Sequence, residues 1–325
     1  MTDSNDELMM ETMYWWGVPT LFRCEHNKDL SNCDIALVGV PHSTGNGTTE
    51  RDQHLGPRAV RHISAGLRRV HLEFNINPWK KKKIFDLGDV ALPHANNNEK
   101  CIEDITNFYK KIADKKKPVV SIGGDHSITG GILQGLGSKN LEMTNGKKIS
   151  FLHIDAHTDT FSQLDHFMGA KKSAAHWGAY LVEQKIIDPK TSMQIGMRGN
   201  PRTLDWLQPS YDLGYNVVTM DEFKKRGIDN VIQETLDKIG DNPVYITFDL
   251  DSLDASVAPA VSNIEPSFTG FTIDEAKALI QSVKNKNVIG GDVVCLMPTK
   301  DQKNNITSMV AASIMFEIIS VIAFN

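Results

Sequence analysis

Three residues that can bind a metal ion follow a short apolar segment in the middle of the chain. Ser150–Ile154 has the apolar and β-branched character of a buried strand. Asp155, His157 and Asp159 come directly after it, and alternate strand residues point to one face, so the spacing predicts that they lie on one side. Carboxylates packed that closely repel one another and take up protons when no cation lies between them. The segment indicates a metal site; the alternative is a polar loop with a capping aspartate.

Two other predicted strands end in residues of the same kind. Residues 118–122 lead into a glycine pair and then His126, while residues 244–248 lead into Asp249 and Asp251. Four carboxylates and two imidazoles are more than one Zn²⁺ uses, and such a set suits a pair of Mn²⁺-like ions. Ligand type does not separate Mn²⁺ from Ni²⁺, Fe²⁺ or Co²⁺. The six predicted ligands are His126, Asp155, His157, Asp159, Asp249 and Asp251.

Apolar segments alternate with segments of helical periodicity along the rest of the chain, and these elements must position the ligands. A first buried strand is predicted over residues 34–40, followed by a loop rich in Gly, Ser and Thr and a helix from about Pro57. Further strands are predicted over residues 84–90, 193–199, 216–219 and 288–296. Helices are predicted over residues 101–114, near 202–206, and over 272–283 and 306–322. This alternation, with no linker and no repeat, predicts one parallel-sheet α/β domain with helices on both faces.

Length, composition and charge narrow the class of protein. A chain of 325 residues with 40% hydrophobic and 23% charged residues is typical of a globular α/β protein. The net charge of −5, without a basic stripe, argues against a nucleic-acid partner. Residues 1–11 are acidic and polar, unlike a signal or transit peptide, and no apolar run approaches the roughly 20 residues of a membrane span. Four scattered cysteines fit a reducing compartment, so we expect a cytoplasmic protein without a membrane partner.

Three ordered motifs resemble those of the ureohydrolase superfamily, which includes arginase, agmatinase, guanidinobutyrase and formimidoylglutamase. The motifs are GGDHS at 123–127, DAHTD at 155–159 and DxDxxD at 249–254. The resemblance covers nearly the whole chain from Tyr14 onward. It implies a three-layer α/β/α fold with a mainly parallel central sheet, and a homo-oligomer that is a trimer or hexamer.

The resemblance also implies a mechanism built on two Mn²⁺ ions. One would be held by His126, Asp155, Asp159 and Asp249, and the other by Asp155, His157, Asp249 and Asp251. Asp155 and Asp249 would bridge the ions, and a water acidified between the ions would be the reactive base or nucleophile. His176 matches the histidine that is thought to shuttle protons in this family.

The chain departs from the family where the substrate would bind. Family hydrolases hold the substrate guanidinium with a glutamate in a strand near the C-terminus, and the matching residue here is Cys295. A thiol cannot form a bidentate charged pair, and leaving guanidinium N–H groups without a carboxylate costs several kcal/mol. The loop that contains Glu265 and the insertion of Trp177 after His176 are also unlike the family pattern. A retained metal centre with a changed substrate shell indicates a changed substrate.

Two functions follow from this departure. In the favoured one, the substrate is a small zwitterion with an onium group held on aromatic faces and cleaved by β-elimination. The example is dimethylsulfoniopropionate, which would give acrylate and dimethyl sulfide. In the alternative, the enzyme hydrolyses a C–N bond of a small guanidino or amidino compound and releases urea, with a residue such as Glu265 replacing the lost glutamate. A metal-stabilised homologue without activity is a third interpretation.

Aromatic residues are the candidates for holding an onium group. Residues 1–28 form a leader before the predicted domain of residues 29–325, and the adjacent aromatics of the leader must pack against something. We expect them to pack on the domain or on a neighbouring subunit, and lining the mouth of a pocket is the alternative. The aromatic candidates are Tyr14, Trp15, Trp16, Trp177 and Tyr180.

Overall fold

Nine parallel strands form the central sheet of the protein, in a computed structural model that describes residues 13, 15–47, 50–137, 142–164, 167, 169–265 and 269–325. In chain order the strands are β1 (Glu25–His26), β2 (Ile35–Val40), β3 (Ile84–Asp89), β4 (Val119–Gly123), β5 (Ser150–Ile154), β6 (Met193–Met197), β7 (Asn216–Thr219), β8 (Val244–Asp249) and β9 (Val288–Val294). Their spatial order is β1-β3-β2-β4-β9-β8-β5-β6-β7, and every neighbouring pair is parallel. The predicted parallel sheet is confirmed.

Helices connect these strands and cover both faces of the sheet. In chain order they are α1 (Gly56–Ser64), α2 (Pro78–Lys81), α3 (Asn98–Ala113), α4 (Ser127–Leu136), α5 (Trp177–Glu183), α6 (Gln208–Leu213), α7 (Met220–Arg226), α8 (Ile228–Ile239), α9 (Ile273–Ser282) and α10 (Ile306–Phe324). Helices α1, α8, α9 and α10 belong to the apolar core on one face, and α3, α4 and α5 to the core on the other. The three-layer α/β/α fold is therefore confirmed.

Strand β2 shows why the central strands are recognisable in the sequence. Ile35 and Leu37 belong to the core that contains α10, while Ala36 and Val38 belong to the core that contains α3 and α4. All four side chains are fully buried. A strand that is buried on both faces has a continuous apolar sequence rather than an alternating one, and such a run is the pattern from which residues 34–40 are predicted.

The last helix, α10, is apolar on all sides. It has 19 residues, and by length and composition it is apolar enough to cross a membrane, yet most of it is buried inside the domain. It packs against α1, α9 and β9. A helix enclosed by its neighbours needs no polar face. The prediction that no apolar run approaches about 20 residues is wrong, because this core helix has nearly that length.

The helix predicted near residues 202–206 is also wrong. These residues form bends and turns, and the helix of this region, α6, begins at Gln208. Pro209 lies in its first turn, where the missing N–H and the fixed φ of proline suit a helix start. The turn that precedes α6 contributes to the cavity described below.

The described part of the predicted leader contacts the domain through Leu21 and Phe22. Both side chains are buried, and the ring centroid of Phe22 lies 5.5 Å from that of Trp79. Strand β1 then pairs with β3 at the edge of the sheet. Trp15 and Trp16 are 71% and 43% exposed. Phe22 therefore provides an aromatic contact between the leader and the domain.

Candidate metal centre

The strand order places the loops with the predicted ligands side by side. β4, β9, β8 and β5 are consecutive neighbours, and the carboxyl ends of parallel strands share one edge of the sheet. His126 follows β4, Cys295 follows β9, Asp249 ends β8 and Asp155 follows β5. This edge is where open α/β sheets bind their ligands.

His126 is the centre of a first cluster of ligands. Its Nδ1 atom lies 3.0 Å from Oδ2 of Asp155, 3.0 Å from Oδ2 of Asp159 and 3.2 Å from Oδ2 of Asp249. All four residues are buried. Ligand atoms that converge this closely away from solvent have the spacing of groups around one metal ion.

The surroundings of His126 determine which of its nitrogens faces the cluster. Its Nε2 atom lies 2.9 Å from Oγ1 of Thr247, and that hydroxyl donates to Oδ1 of Asp292 at 2.7 Å. Because the hydroxyl proton goes to Asp292, Nε2–H donates to Thr247 and Nδ1 faces the carboxylates. Nδ1 is buried and has no hydrogen bond to any described atom. A nitrogen lone pair directed at three carboxylate oxygens requires a cation, so these residues fit a metal ion.

His157 and Asp251 form a second cluster around the same bridging aspartate. Nδ1 of His157 lies 3.2 Å from Oδ2 of Asp251 and 3.5 Å from Oδ1 of Asp155. The backbone N–H of Asp251 donates to Oδ1 of Asp249 at 2.9 Å, so the two residues are held next to each other. Asp155 offers Oδ2 to the first cluster and Oδ1 to the second. The residues therefore fit two metal ions that share Asp155, and the second bridge, by Asp249, stays a prediction.

The electrostatics of the two clusters show the same demand for positive charge. Burial lowers the pKa of His126, but the nearby carboxylates of Asp155, Asp159 and Asp249 outweigh burial and raise the pKa well above its usual value. Burial also lowers the pKa of His157, but the charge of Asp251 and the neighbouring Asp155 outweigh burial and raise the pKa well above its usual value. Burial and the nearby Asp249 raise the pKa of Asp251 well above its usual range. These shifts reflect a concentration of carboxylates whose charge divalent cations would neutralise.

The three ligands after β5 lie in a turn and not on the strand. β5 ends at Ile154, and the backbone of Asp159 is left-handed, with φ of 52°. The N–H of His157 donates to Oδ1 of Asp155 at 2.7 Å, and the indole N–H of Trp177 donates to Oδ2 of Asp159 at 2.9 Å. Strand alternation is therefore not what gathers these ligands; the hydrogen-bonded turn after the strand gathers them.

Both clusters lie in the wall of a cavity of about 450 Å³, a size that suits a small molecule. One part of the wall is aromatic and is formed by Phe161, Phe167 and Trp206. Another part is polar and is formed by Asn46, Asn200, Asn263 and Arg202. None of these residues is individually predicted from the sequence to bind substrate, although Asn46 lies in the loop after β2 that is predicted as a candidate substrate wall. The signal available for Phe161 and Phe167 is that they follow the ligand turn directly in the chain.

Cys295 lies in this cavity beside the metal ligands. Its φ is 70°, a left-handed conformation that is costly for a residue other than glycine, and its N–H donates to the carbonyl of Gly124 at 2.9 Å. Burial raises the pKa of the Cys295 thiol well above its usual value, and the charges of Asp249 and Asp251 add to the rise. A strained backbone thus holds a neutral thiol beside the metal ligands.

The aromatic residues predicted to hold a substrate cation do not line the described cavity. Trp177 is fully buried, with its ring centroid 5.0 Å from that of His126, and Tyr180 is buried in the same core. The structure corrects the prediction for both, because α5 turns their side chains into the core that it shares with α4. Trp15 and Trp16 are exposed and are not part of the cavity wall. Tyr14 lies outside the described residues.

His176 and Glu265 lie at the margins of the centre. His176 is buried, its Nδ1 atom lies 2.6 Å from Oγ of Ser173, and it lines a neighbouring cavity of about 540 Å³. Its role in proton transfer stays a prediction. Oε1 of Glu265 lies 3.2 Å from Nε2 of His157, so a carboxylate stands next to the second cluster.

His153 is a contributor to the centre that the sequence-based prediction lacks. It is fully buried, and its Nε2 atom lies 2.8 Å from Oδ2 of Asp155. Its Nδ1 atom lies 3.2 Å from the side-chain amide of Gln194. Such partners orient ligands and are part of a metal site. The available signal is a polar residue inside the apolar β5 segment, two positions before the bridging aspartate.

Comparison with known proteins agrees with this geometry. The arginase family matches residues 33–320. A guanidinopropionase of Pseudomonas aeruginosa is 29% identical over 309 residues, which cover 94% of this chain and 92% of that protein. A mitochondrial guanidino acid hydrolase of Homo sapiens is 32% identical over 304 residues, which cover 93% of this chain and 82% of that protein.

Solved structures of related proteins superimpose on nearly the whole chain. The proclavaminate amidino hydrolase from Streptomyces clavuligerus has a TM-score of 0.85 and 27% identity, covering 96% of this chain and 99% of the other. A formimidoylglutamase from Bacillus subtilis has the same fold, with a TM-score of 0.79, 21% identity and 98% of both chains covered. With its three motifs and its paired ligand clusters, the chain belongs to the arginase family of the ureohydrolase superfamily.

Proposed function

We propose that the protein is an enzyme that hydrolyses the C–N bond of a small guanidino compound and releases urea. The main support is the set of six ligands, five of which line one cavity while the sixth, Asp155, contacts His126 beside it. Relatives named guanidinopropionase and guanidino acid hydrolase add to it. Two divalent ions bound by these residues, which we propose to be Mn²⁺, supply an acidified water and polarise the substrate.

The polar part of the cavity favours a guanidino acid over agmatine, whose distal group is a cation. Arg202 brings a positive charge to the wall, and three asparagines bring neutral amides. Apart from the metal ligands, no carboxylate lines the described part of this cavity, and Glu265 lies next to it beside His157. A carboxylate at the distal end of the substrate would pair with Arg202, while a distal ammonium would be repelled by it.

The guanidinium end of the substrate needs an acceptor other than residue 295. The neutral thiol of Cys295 cannot pair with a guanidinium as a carboxylate does. Glu265 supplies a carboxylate beside His157, within the reach of a group bound at the second cluster. We propose that Glu265 accepts N–H groups of the substrate, so Glu265→Gln should raise KM for a guanidino acid.

Arg202→Met tests the proposed substrate class. We expect this variant to raise KM for 3-guanidinopropionate and 4-guanidinobutyrate about 10–100-fold, because a charge-assisted contact is worth roughly 1.5–3 kcal/mol. Arg226→Met is the matched control, because Arg226 lies on α7 and pairs with Glu234 at the surface. Urea release measures both. Equal KM values for the guanidino acids in Arg202→Met and the unchanged protein would contradict this assignment of the distal carboxylate.

A second candidate function is the β-elimination of an onium zwitterion such as dimethylsulfoniopropionate. The observation that favours it is the neutral Cys295 in a cavity that also contains Phe161, Phe167 and Trp206, whose faces suit a cation without N–H groups. A base would take a proton from the carbon next to the carboxylate, the electron pair would form the C=C bond, and dimethyl sulfide would leave with the C–S electrons. None of the relatives reported above has the name of a lyase.

Product analysis separates the two functions. Protein loaded with Mn²⁺ is incubated with each guanidino acid and with dimethylsulfoniopropionate, and urea and dimethyl sulfide are measured separately. We expect urea from a guanidino acid and no dimethyl sulfide. Dimethyl sulfide release, without urea from any guanidino compound, would reverse the order of the two candidates.

A further inference from the structure

Arg198 is a buried arginine that contacts both segments of the second cluster. It follows β6, which pairs with β5. Its Nη1 donates to the carbonyl of Ser252 at 2.9 Å, and its Nη2 donates to the carbonyls of Asp251 at 2.6 Å and Leu253 at 2.9 Å. Its backbone N–H donates to the carbonyl of Ala156 at 2.9 Å. One residue therefore joins the turn after β5 to the turn after β8.

These contacts bear directly on two metal ligands. Ala156 lies between Asp155 and His157, and the turn of residues 251–253 begins with the ligand Asp251 itself. A guanidinium is planar and presents its donors in a fixed fork. Three carbonyls that accept from one such group hold the turn in a single orientation. The direction of the Asp251 side chain depends on that orientation.

The charge of the buried Arg198 guanidinium helps to lower the pKa of Asp254, but the hydrogen bonds of the guanidinium go to uncharged groups. All three of its acceptors are backbone carbonyls, and within the described chain no carboxylate forms an ion pair with it. A buried cation without a paired anion costs free energy, and an apolar residue at this place in the core would avoid that cost. Arg198 lies next to a centre rich in carboxylates, so its positive charge can serve the metal site, a role that the stability of the fold does not require.

We propose that Arg198 is a positioning residue for the metal ion of the second cluster. Its fork fixes the turn that carries Asp251, and its backbone N–H fixes the turn that carries His157. The first cluster is supported differently, through Thr247 and Asp292 behind His126. Loss of the Arg198 side chain should therefore affect the two ions unequally. The inference requires the two-ion centre and does not depend on the hydrolysis proposed above.

The test measures metal binding by Arg198→Met and Arg198→Lys. Metal content after dialysis against Mn²⁺ and calorimetric titration with Mn²⁺ report stoichiometry and affinity without any substrate. We expect two ions per chain in the unchanged protein and about one in each variant, with affinity for the second ion reduced roughly 10–100-fold. Lysine keeps the positive charge but cannot reach three carbonyls from one planar group.

Arg69→Met is the matched control. Arg69 also donates its guanidinium to backbone carbonyls, those of Phe22 and Arg23, but it lies against the leader and stacks on Trp79. We expect this variant to retain two ions. Circular dichroism and the thermal midpoint show whether each variant is folded, and Arg198→Gln replaces Arg198→Met if the latter does not fold.

Three results would overturn the proposal. The first is two ions of unchanged affinity in a folded variant without the guanidinium. The second is full recovery of the second ion in Arg198→Lys, because charge alone would then account for the effect. The third is equal weakening of both ions, because the contacts of Arg198 would then not act through the second cluster.

Discussion

At the scale of single residues, Thr247 holds the imidazole of His126 in place by linking it to Asp292. We expect Thr247→Val, which keeps the shape of the side chain and removes its hydroxyl, to weaken metal binding at the first cluster about 10–100-fold. Calorimetric titration with Mn²⁺ measures the change. Thr235→Val is the control, because its buried hydroxyl donates to the carbonyl of Val231 within its own helix. Unchanged affinity in Thr247→Val would show that His126 does not depend on this contact.

Cys295 is the residue at which the acceptor for a guanidinium can be restored. We expect Cys295→Glu to lower KM for a guanidino acid about tenfold, because a carboxylate beside Asp249 and Asp251 can accept two guanidinium N–H groups. Cys295→Ser keeps the size and neutrality of the side chain and should leave KM close to its original value. Steady-state urea release measures both variants. An unchanged KM in Cys295→Glu would place residue 295 away from the guanidinium.

The ligands are easier to predict from the sequence than the cavity wall. Asp155, His157 and Asp159 lie within five residues, and one hydrogen-bonded turn brings them together. Phe161 and Trp206 belong to different loops, and only the order of the strands brings these loops to one cavity. A sequence pattern therefore predicts local geometry well and contacts between distant loops poorly.

At the scale of elements, Asp86 joins the leader, α1 and β3. Its carboxylate accepts from Nε and Nη2 of Arg61 at 2.8 and 3.0 Å and from the backbone N–H of Leu21 at 2.9 Å. Burial alone would raise the pKa of Asp86, but the Arg61 guanidinium and the backbone N–H groups outweigh burial and hold the pKa below its usual value. A depressed carboxylate pKa stabilises the fold above the pKa of the unfolded chain, and this stabilisation is lost as the pH falls through the folded-state pKa.

Asp86→Asn tests this link. We expect the free energy of unfolding at pH 7 to fall by about 1–3 kcal/mol, because Arg61 loses its charge-assisted hydrogen bonds to Asp86 while its ion pair with Asp89 remains. The difference between the two proteins should shrink below about pH 4, the ordinary pKa range of aspartate. Urea denaturation at a series of pH values measures this difference in the free energy of unfolding. Asp241→Asn is the control, because Asp241 is exposed. A difference that stays constant down to pH 3 would contradict the electrostatic origin.

Elements with strong local signals are predicted to within a residue or two. Helix α9 is predicted over 272–283 and found at Ile273–Ser282, because Thr272 and Glu275 form a capping box at its start. The two-residue β1 is too short to produce a periodic pattern, and only its pairing with β3 defines it. The segment before α6 resembles a helix in sequence, but its hydrogen bond from the N–H of Gln208 to the carbonyl of Asp205 closes a turn and is not part of a helix over residues 202–206.

At the scale of the whole molecule, the resemblance to ureohydrolases predicts a trimer or hexamer of the 36.1 kDa chain. The exposed indoles of Trp15 and Trp16 fit the expectation that the leader packs on a neighbouring subunit. Sedimentation velocity should therefore give a mass three or six times that of one chain. Trp15→Ser combined with Trp16→Ser should shift the assembly toward smaller species. A monomer at micromolar concentration would contradict the oligomer.

The most direct measurement for the proposed hydrolysis is urea release from 3-guanidinopropionate and 4-guanidinobutyrate by protein that contains two Mn²⁺ ions per chain. Asp155→Ala and Asp249→Ala serve as inactive references, because Asp155 belongs to both clusters and Asp249 lies beside His126 in the first. We predict steady urea production by the unchanged protein and none by either variant. The absence of urea from every guanidino compound, in protein whose two ions are verified by metal analysis, would contradict the proposed function.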